Sequence, residues 1–166
     1  LCEHSFETAV IAHALAVLRN TRFGGRVDAE RAALLALYHD ATEIITGDMP
    51  TPVKYYNREL RSAYREVERA AQGRLLAYLP DDMKPVYGPL LGEPLPSDAE
   101  LLPLVKAADK IAAVIKCVEE KRVGNREFSS AENSLRRAVA GMHLPEADCF
   151  LSEFLPSYSL TLDEQK

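Results

Sequence analysis

Apolar residues recur along this chain at every third or fourth position, and turn-forming residues interrupt the pattern at intervals. This spacing places the apolar side chains on one face of a helix, whereas a half-buried strand would need strict alternation. The first such run consists of Phe6, Val10, Ala14, Val17 and Leu18. No alternating stretch of comparable length occurs in the sequence. The pattern therefore predicts an all-α fold of about six packed helices without a sheet.

Capping and breaking residues divide this pattern into separate helices. The first helix is predicted over about residues 4–19, before a pair of glycines. A second helix, apolar on nearly every side, is predicted from the capping residue Asp28 to Gly47. Asn57 is predicted to cap a long third helix with arginines and glutamates on its outer face.

Proline dominates the connection that follows the third helix. Residues 80–96 contain five prolines, which predicts an irregular segment or a short helical turn at the rim of a pocket.

Ser97 and Ser129 each precede a glutamate by three positions, the capping-box pattern that opens a helix. The helix from Ser97 is expected to kink at Pro103, and Pro145 fits the first position of a last helix.

Size and composition fit one soluble globular domain over residues 1–166. Hydrophobic residues make up 47% of the chain, which is enough for a core. With 20 basic and 25 acidic side chains the net charge is −5, which disfavours nucleic acid as a partner. No apolar run approaches the roughly 20 residues of a membrane span, so no membrane partner is expected. Three cysteines without a CxxC motif favour a reducing compartment, the cytoplasm.

Three ionisable side chains interrupt the apolar helix predicted from Asp28 to Gly47. His39 directly precedes Asp40, and Glu43 follows about one turn later. At spacings of three and four residues, these side chains point toward one side of a helix. Buried carboxylates need partners, and a bound metal would satisfy the whole group. The alternative is an ordinary exposed helix edge with one hydrogen-bonded histidine, and the His-Asp dipeptide alone does not decide between the two.

Two further side chains offer the same chemistry far away in the sequence. Asp109 lies among apolar neighbours in the helix that starts near Ser97, so it is either an inward carboxylate or the partner of Lys106 or Lys116 in a salt bridge. His4 opens the first helix, where a histidine is either a ligand or a surface or capping residue.

The order of these residues resembles the metal signature of the HD-domain phosphohydrolase superfamily. A histidine in the first helix precedes an adjacent His-Asp pair, and an aspartate follows much later. Three strings make the resemblance more specific, and they are CEHSFETAVIAHALA, ALYHDATEIITGDMPTPVKYYN and LVKAADKIAAVIKCVEE. They are similar to the bacterial 5′-deoxynucleotidase family, whose members remove phosphate from deoxyribonucleoside 5′-monophosphates. The resemblance implies a single HD-type helical domain, a small nucleotide substrate and a homodimer.

The resemblance also implies roles for individual residues. It implies four metal ligands, which are His4, His39, Asp40 and Asp109. Glu43 corresponds to a catalytic carboxylate, and Asp48 to one that is catalytic or contacts the nucleoside. The positions at which substrate contacts are expected are Lys54, Glu93, Pro94, Leu95 and Pro96.

The implied cofactor is one divalent metal ion, because mixed nitrogen and oxygen donors suit cobalt, manganese or another first-row transition metal. Family members carry a helix with an Arg-Trp pair before the first histidine. Either this helix precedes Leu1 in the full protein or the enzyme has lost it, and we expect the former because the sequence does not begin with methionine. Two alternative functions stay open. Another HD-type enzyme would act on nucleoside triphosphates, alarmones or cyclic nucleotides, and a helical interaction module would keep the scaffold without catalysis.

Overall fold

The computed structural model describes residues 1–54, 56–161 and 163–164, except for the side chains at positions 51 and 52. Within these ranges the chain is helical and forms no strand, so the all-α prediction is confirmed. The α-helices are α1 (Cys2–Arg22), α2 (Ala29–Tyr38), α3 (Glu43–Thr46), α4 (Thr51–Lys54), α5 (Arg58–Ala77), α6 (Lys84–Leu91), α7 (Leu102–Arg122), α8 (Ser129–Ala140) and α9 (Pro145–Cys149). A 3-10 turn covers Pro96–Asp98, and π and 3-10 turns continue α9 over Phe150–Phe154 and Leu155–Ser159. None of the described helices is long and apolar enough to cross a membrane.

The chain divides into two compact units. The first, called the core unit below, consists of Cys2–Leu37 and the chain from Ser97 onward. The second, called the insert unit, consists of Tyr38–Pro96 together with Leu1.

Helix α7 is the centre of the core unit. It packs against α1 on one side and against α8 on another, and the 3-10 turn Leu155–Ser159 also contacts it. Its fully buried side chains include Leu104, Ile111 and Ile115, and each buried side chain of this size contributes about 1.5–3 kcal/mol. From α1, Ile11 and Leu15 fill the same core. This packing fixes the relative position of α1 and α7.

Helix α5 organises the insert unit. The side chain of Asn57 accepts a hydrogen bond from the backbone N–H of Leu60 at 2.7 Å, so the predicted cap is present. Helices α3, α4 and α6 all contact α5. Tyr64 and Ala71 are the buried residues of α5, and Tyr38 and Tyr87 meet edge to face with ring centroids 6.1 Å apart.

The predicted continuous helix from Asp28 to Gly47 is wrong, because the structure breaks it after Tyr38. Asp28 does cap the helix, as its side chain accepts from the N–H of Arg31 at 2.8 Å. Beyond Tyr38, backbone N–H groups bond to carbonyls three residues back, as from Glu43 to Asp40 at 2.9 Å. These tighter bonds replace the four-residue spacing of an α-helix and turn the chain before α3.

The predicted capping boxes and the kink at Pro103 are also wrong. Ser97 lies inside a 3-10 turn, and α7 begins at Leu102 with Pro103 in its first turn. Proline fits a first turn without disturbing the helix, because the N–H groups there have no intrahelical acceptor. Helix α8 begins at Ser129 without a side-chain cap. Its Glu132 accepts a hydrogen bond from Arg136 at 2.9 Å instead.

Candidate active site

The core unit brings His4 and Asp109 together. His4 lies in the first turn of α1 and Asp109 in the middle of α7, and the packing of these helices places Nε2 of His4 3.2 Å from Oδ1 of Asp109. The two side chains are 33% and 39% exposed, so they can still reach a ligand. Lys116, one of the alternative partners of Asp109, lies 3.3 Å from Glu120. The interpretation of Asp109 as a carboxylate facing α1 is the one that this contact supports.

The insert unit holds the second histidine and aspartate. His39 and Asp40 occupy the turn between α2 and α3, with Nε2 of His39 3.0 Å from Oδ2 of Asp40. Their side chains are 16% and 26% exposed. The turn therefore carries an imidazole and a carboxylate side by side, both half-buried, and this is donor chemistry suited to a divalent metal ion.

Glu43 begins α3, directly after this turn. Burial raises the pKa of its carboxyl above the usual range, and the negative charges of Asp40 and Asp48 raise it further. The positive charge of Lys54 and the imidazole of His39 act in the opposite direction but do not cancel the increase. A carboxyl group with a raised pKa exchanges its proton closer to neutral pH, which is the property that a general acid or base needs.

Asp48 follows α3 at an exposed corner of the chain. Gly47 ends the helix with φ 68°, and its N–H bonds to the carbonyl of Glu43 at 2.9 Å. A side chain at this φ would be strained, so glycine is the residue that allows the chain to leave the helix here. Asp48 therefore lies at a corner of the chain that is open to solvent.

Lys54 ends α4 and is held by α5. Its Nζ lies 2.9 Å from Oε1 of Glu68 and 4.7 Å from the ring centroid of Tyr64. Neither α5 contact could be predicted from the sequence, since no local pattern links Lys54 to positions on the next helix. Lys54 is therefore a charge fixed in place by the insert unit.

The segment from Glu93 to Pro96 follows α6 and is exposed throughout. The 3-10 turn Pro96–Asp98 contains a second feature that no sequence pattern indicates, one half of a buried ion pair in the core unit. Nε and Nη2 of Arg31 donate to the two carboxylate oxygens of Asp98 at 2.9 and 2.7 Å, and Asp98 is only 2% exposed. The pair ties α2 to the chain just before α7.

A family model described as 5′-deoxynucleotidase YfbR-like matches residues 1–158 of this chain. The chain belongs to this family. It is 46% identical over 162 residues to the 5′-deoxynucleotidase of Erwinia tasmaniensis, with 98% of this chain and 81% of that protein covered. The same figures apply to the 5′-deoxynucleotidase of Citrobacter koseri and the 5′-deoxynucleotidase YfbR of Shigella dysenteriae.

A solved structure supports the same fold. The HD-domain phosphohydrolase from Listeria innocua superposes with a TM-score of 0.75 at 27% identity, covering 95% of this chain and 75% of that chain. These comparisons confirm the family and the fold that the sequence motifs indicated. They also confirm the prediction of an enzyme, a phosphomonoesterase of a superfamily whose members depend on metal ions.

Proposed function

We propose that this chain hydrolyses 5′-monophosphates of 2′-deoxyribonucleosides to the deoxynucleoside and orthophosphate. The observation that carries the proposal is the match of residues 1–158 to a family described as 5′-deoxynucleotidase. The site residues add support, because each unit contains a histidine in contact with an aspartate. These are the donor types at the positions that the resemblance assigns to the metal.

The proposed cofactor is one divalent ion, cobalt, manganese or another first-row transition metal, held by His4, His39, Asp40 and Asp109. Imidazole nitrogens and carboxylate oxygens fit such an ion better than a thiolate-rich site would. Once bound, the ion would supply Lewis-acid chemistry toward a phosphate oxygen and a lowered pKa for water. Within each pair, the short contact between histidine and aspartate limits the freedom of both donors, so little ordering remains for metal binding.

Three side chains of the insert unit serve the hydrolysis itself in this proposal. Glu43 takes a proton from the attacking water, a role that its raised pKa supports. Asp48 at the exposed corner either gives a proton to the leaving 5′-oxygen or holds the sugar. Lys54 supplies positive charge toward the phosphate, which a chain with a net charge of −5 must provide locally. The exposed segment Glu93–Pro96 contacts the nucleoside.

We further propose that the two units form one HD-type domain, that the protein works as a homodimer, and that it acts in the cytoplasm on small nucleotides rather than nucleic acid or membranes. The homodimer is a property implied by the family resemblance. Sedimentation equilibrium at several protein concentrations tests it, and a mass of 18.4 kDa at all concentrations would contradict it.

Orthophosphate release from a panel of nucleotides tests the proposed function. The protein is stripped with a chelator, reloaded with one metal at a time, and assayed for kcat/KM on dAMP, AMP and 3′-AMP. We expect dAMP to be the best substrate by about 10²-fold over AMP, because a pocket that lacks a partner for an added hydroxyl rejects it only modestly. The 3′-monophosphate should be poorer still.

The alternatives predict different products. Equal rates on AMP and dAMP would contradict the preference for deoxyribose, while pyrophosphate release from a nucleoside triphosphate would indicate another HD-type activity. No turnover of any nucleotide with any metal would leave the non-catalytic interaction module as the better interpretation.

A further inference from the structure

Tyr64 contacts two neighbouring segments of the proposed site at once. The residue lies in α5 and is only 5% exposed. Its hydroxyl donates to the carbonyl oxygen of Gly47 at 3.4 Å, and its ring face lies under the ammonium group of Lys54, with Nζ 4.7 Å from the centroid. One buried side chain therefore links α5 to the corner after α3 and to the end of α4.

The hydroxyl contact falls where the backbone leaves regular structure. Gly47 is the C-cap of α3. The carbonyl groups at the end of a helix receive no hydrogen bond from an N–H group of the same helix. The Gly47 carbonyl accepts from the neighbouring Thr46 hydroxyl at 2.9 Å, and the Tyr64 hydroxyl adds a longer hydrogen bond from another helix. Asp48 is the next residue, so the orientation of its backbone depends on the peptide group that these two bonds hold.

The ring contact limits the position of Lys54. An ammonium group over an aromatic face is attracted by the ring quadrupole, and Glu68, one turn after Tyr64 on the same face of α5, binds the same ammonium at 2.9 Å. A lysine side chain is among the most flexible in proteins. Here two contacts from one helix restrict the ammonium group of Lys54 to a small range of positions. Tyr64 and Glu68 thus fix the charge that the proposed function directs toward phosphate.

We propose that Tyr64 is a positioning residue of the active site, which sets the corner that carries Asp48 through its hydroxyl and places Lys54 through its ring. The inference rests on the proposed function, since Asp48 and Lys54 have roles in substrate binding or catalysis only within it. Tyr64 itself is not a catalytic residue, because its contacts are with Gly47 and Lys54.

Two substitutions separate the contacts of Tyr64. Tyr64→Phe removes the hydroxyl and keeps the ring, while Tyr64→Leu removes both. Tyr78→Phe is the matched control, since it deletes the same group from a tyrosine that is 75% exposed at the end of α5. Circular dichroism and thermal unfolding of all three variants establish that the fold is retained before any rate is compared.

The expected results distinguish positioning from a general structural role. Tyr64→Phe should lower kcat/KM for dAMP by about 2- to 5-fold, the lower part of the range for one hydrogen bond because this one is long, while Tyr78→Phe stays at the wild-type value. In an Asp48→Asn background the same substitution should have little further effect, because residues that act through one another are not additive. Tyr64→Leu should raise the KM for dAMP above the KM of Tyr64→Phe, because it also removes the ring under Lys54. In a Lys54→Met background, Tyr64→Leu and Tyr64→Phe should have the same KM.

Amide hydrogen exchange provides a readout that does not depend on activity. Exchange at Gly47, Asp48 and Met49 should be faster in Tyr64→Phe than in Tyr78→Phe. Unchanged exchange, or effects that add fully to those of Asp48→Asn, would overturn the inference. A wild-type protein without activity on any 5′-monophosphate would instead show that the proposed function has failed, and the inference would then fall with it.

Discussion

The buried ion pair between Arg31 and Asp98 predicts an unequal cost for removing its two partners. The side chain of Asp98 is 3% exposed, whereas that of Arg31 is 21% exposed. Arg31→Met takes the guanidinium and two charge-assisted hydrogen bonds from a carboxylate that is almost fully shielded from water. Removing one member of a buried pair costs about 3–5 kcal/mol, and we expect this variant to lie in that range.

Asp98→Asn leaves the more exposed member behind. The asparagine keeps the shape of the side chain and one oxygen acceptor, and the guanidinium of Arg31 can turn toward solvent. The expected loss is therefore about 1–2 kcal/mol, close to that of one or two ordinary hydrogen bonds. An exposed arginine of α5 offers the control Arg65→Met, which should change stability by less than about 0.5 kcal/mol.

Urea unfolding at neutral pH measures all three variants. The free energy of unfolding should decrease in the order control, Asp98→Asn, Arg31→Met, with similar dependence on urea concentration. If Arg31→Met cost no more than Asp98→Asn, the buried carboxylate would not determine the cost, and the reasoning from exposure would be refuted.

Other predictions concern the proposed metal and acid-base residues. His39→Ala and Asp109→Ala should each lose bound metal and activity together while helicity is kept, and full metal occupancy in either variant would exclude that residue as a ligand. Glu43→Ala should keep the metal in elemental analysis but lose about 10²- to 10⁴-fold in kcat; parallel loss of metal would make Glu43 a ligand. In the metal-free protein, NMR titration should find the pKa of Glu43 above that of an exposed glutamate. It should rise further in Lys54→Met, which removes a cation, and fall in Asp48→Asn, which removes an anion; shifts of opposite sign would contradict the electrostatic account.

Helix starts were predictable where one side chain acts on its own neighbours. Asp28, Asn57 and Pro145 all open helices as expected, because the signal and its effect lie within one turn. The predicted box at Ser129 failed in part for a non-local reason. Glu132 accepts from Arg136 within α8, and Lys121 of α7 lies 3.5 Å from its carboxylate, a tertiary partner that a local pattern cannot reveal.

The candidate site shows the same difference between local signals, which the sequence reveals, and tertiary contacts, which it does not. The residue types and their order were sufficient to indicate the family, and the comparisons confirm it. The break after Tyr38 was missed, because Ala41, Ile44 and Ile45 continue the helical spacing past it. The contacts of Lys54 were missed because Tyr64 and Glu68 become its neighbours only when α4 packs on α5.

The spread of the proposed ligands along the sequence leads to a prediction about stability. They come from three separate stretches, around His4, around His39 and Asp40, and around Asp109, so an ion held by all four binds only the folded chain. A ligand that binds the native state alone stabilises it by about 2.7 kcal/mol at 100 times its Kd. Thermal unfolding should therefore shift upward with added manganese or cobalt in the wild type, and the shift should vanish in both His39→Ala and Asp109→Ala. A shift that survived either substitution would show that one pair binds the ion without the other, and the four-ligand assignment would be wrong.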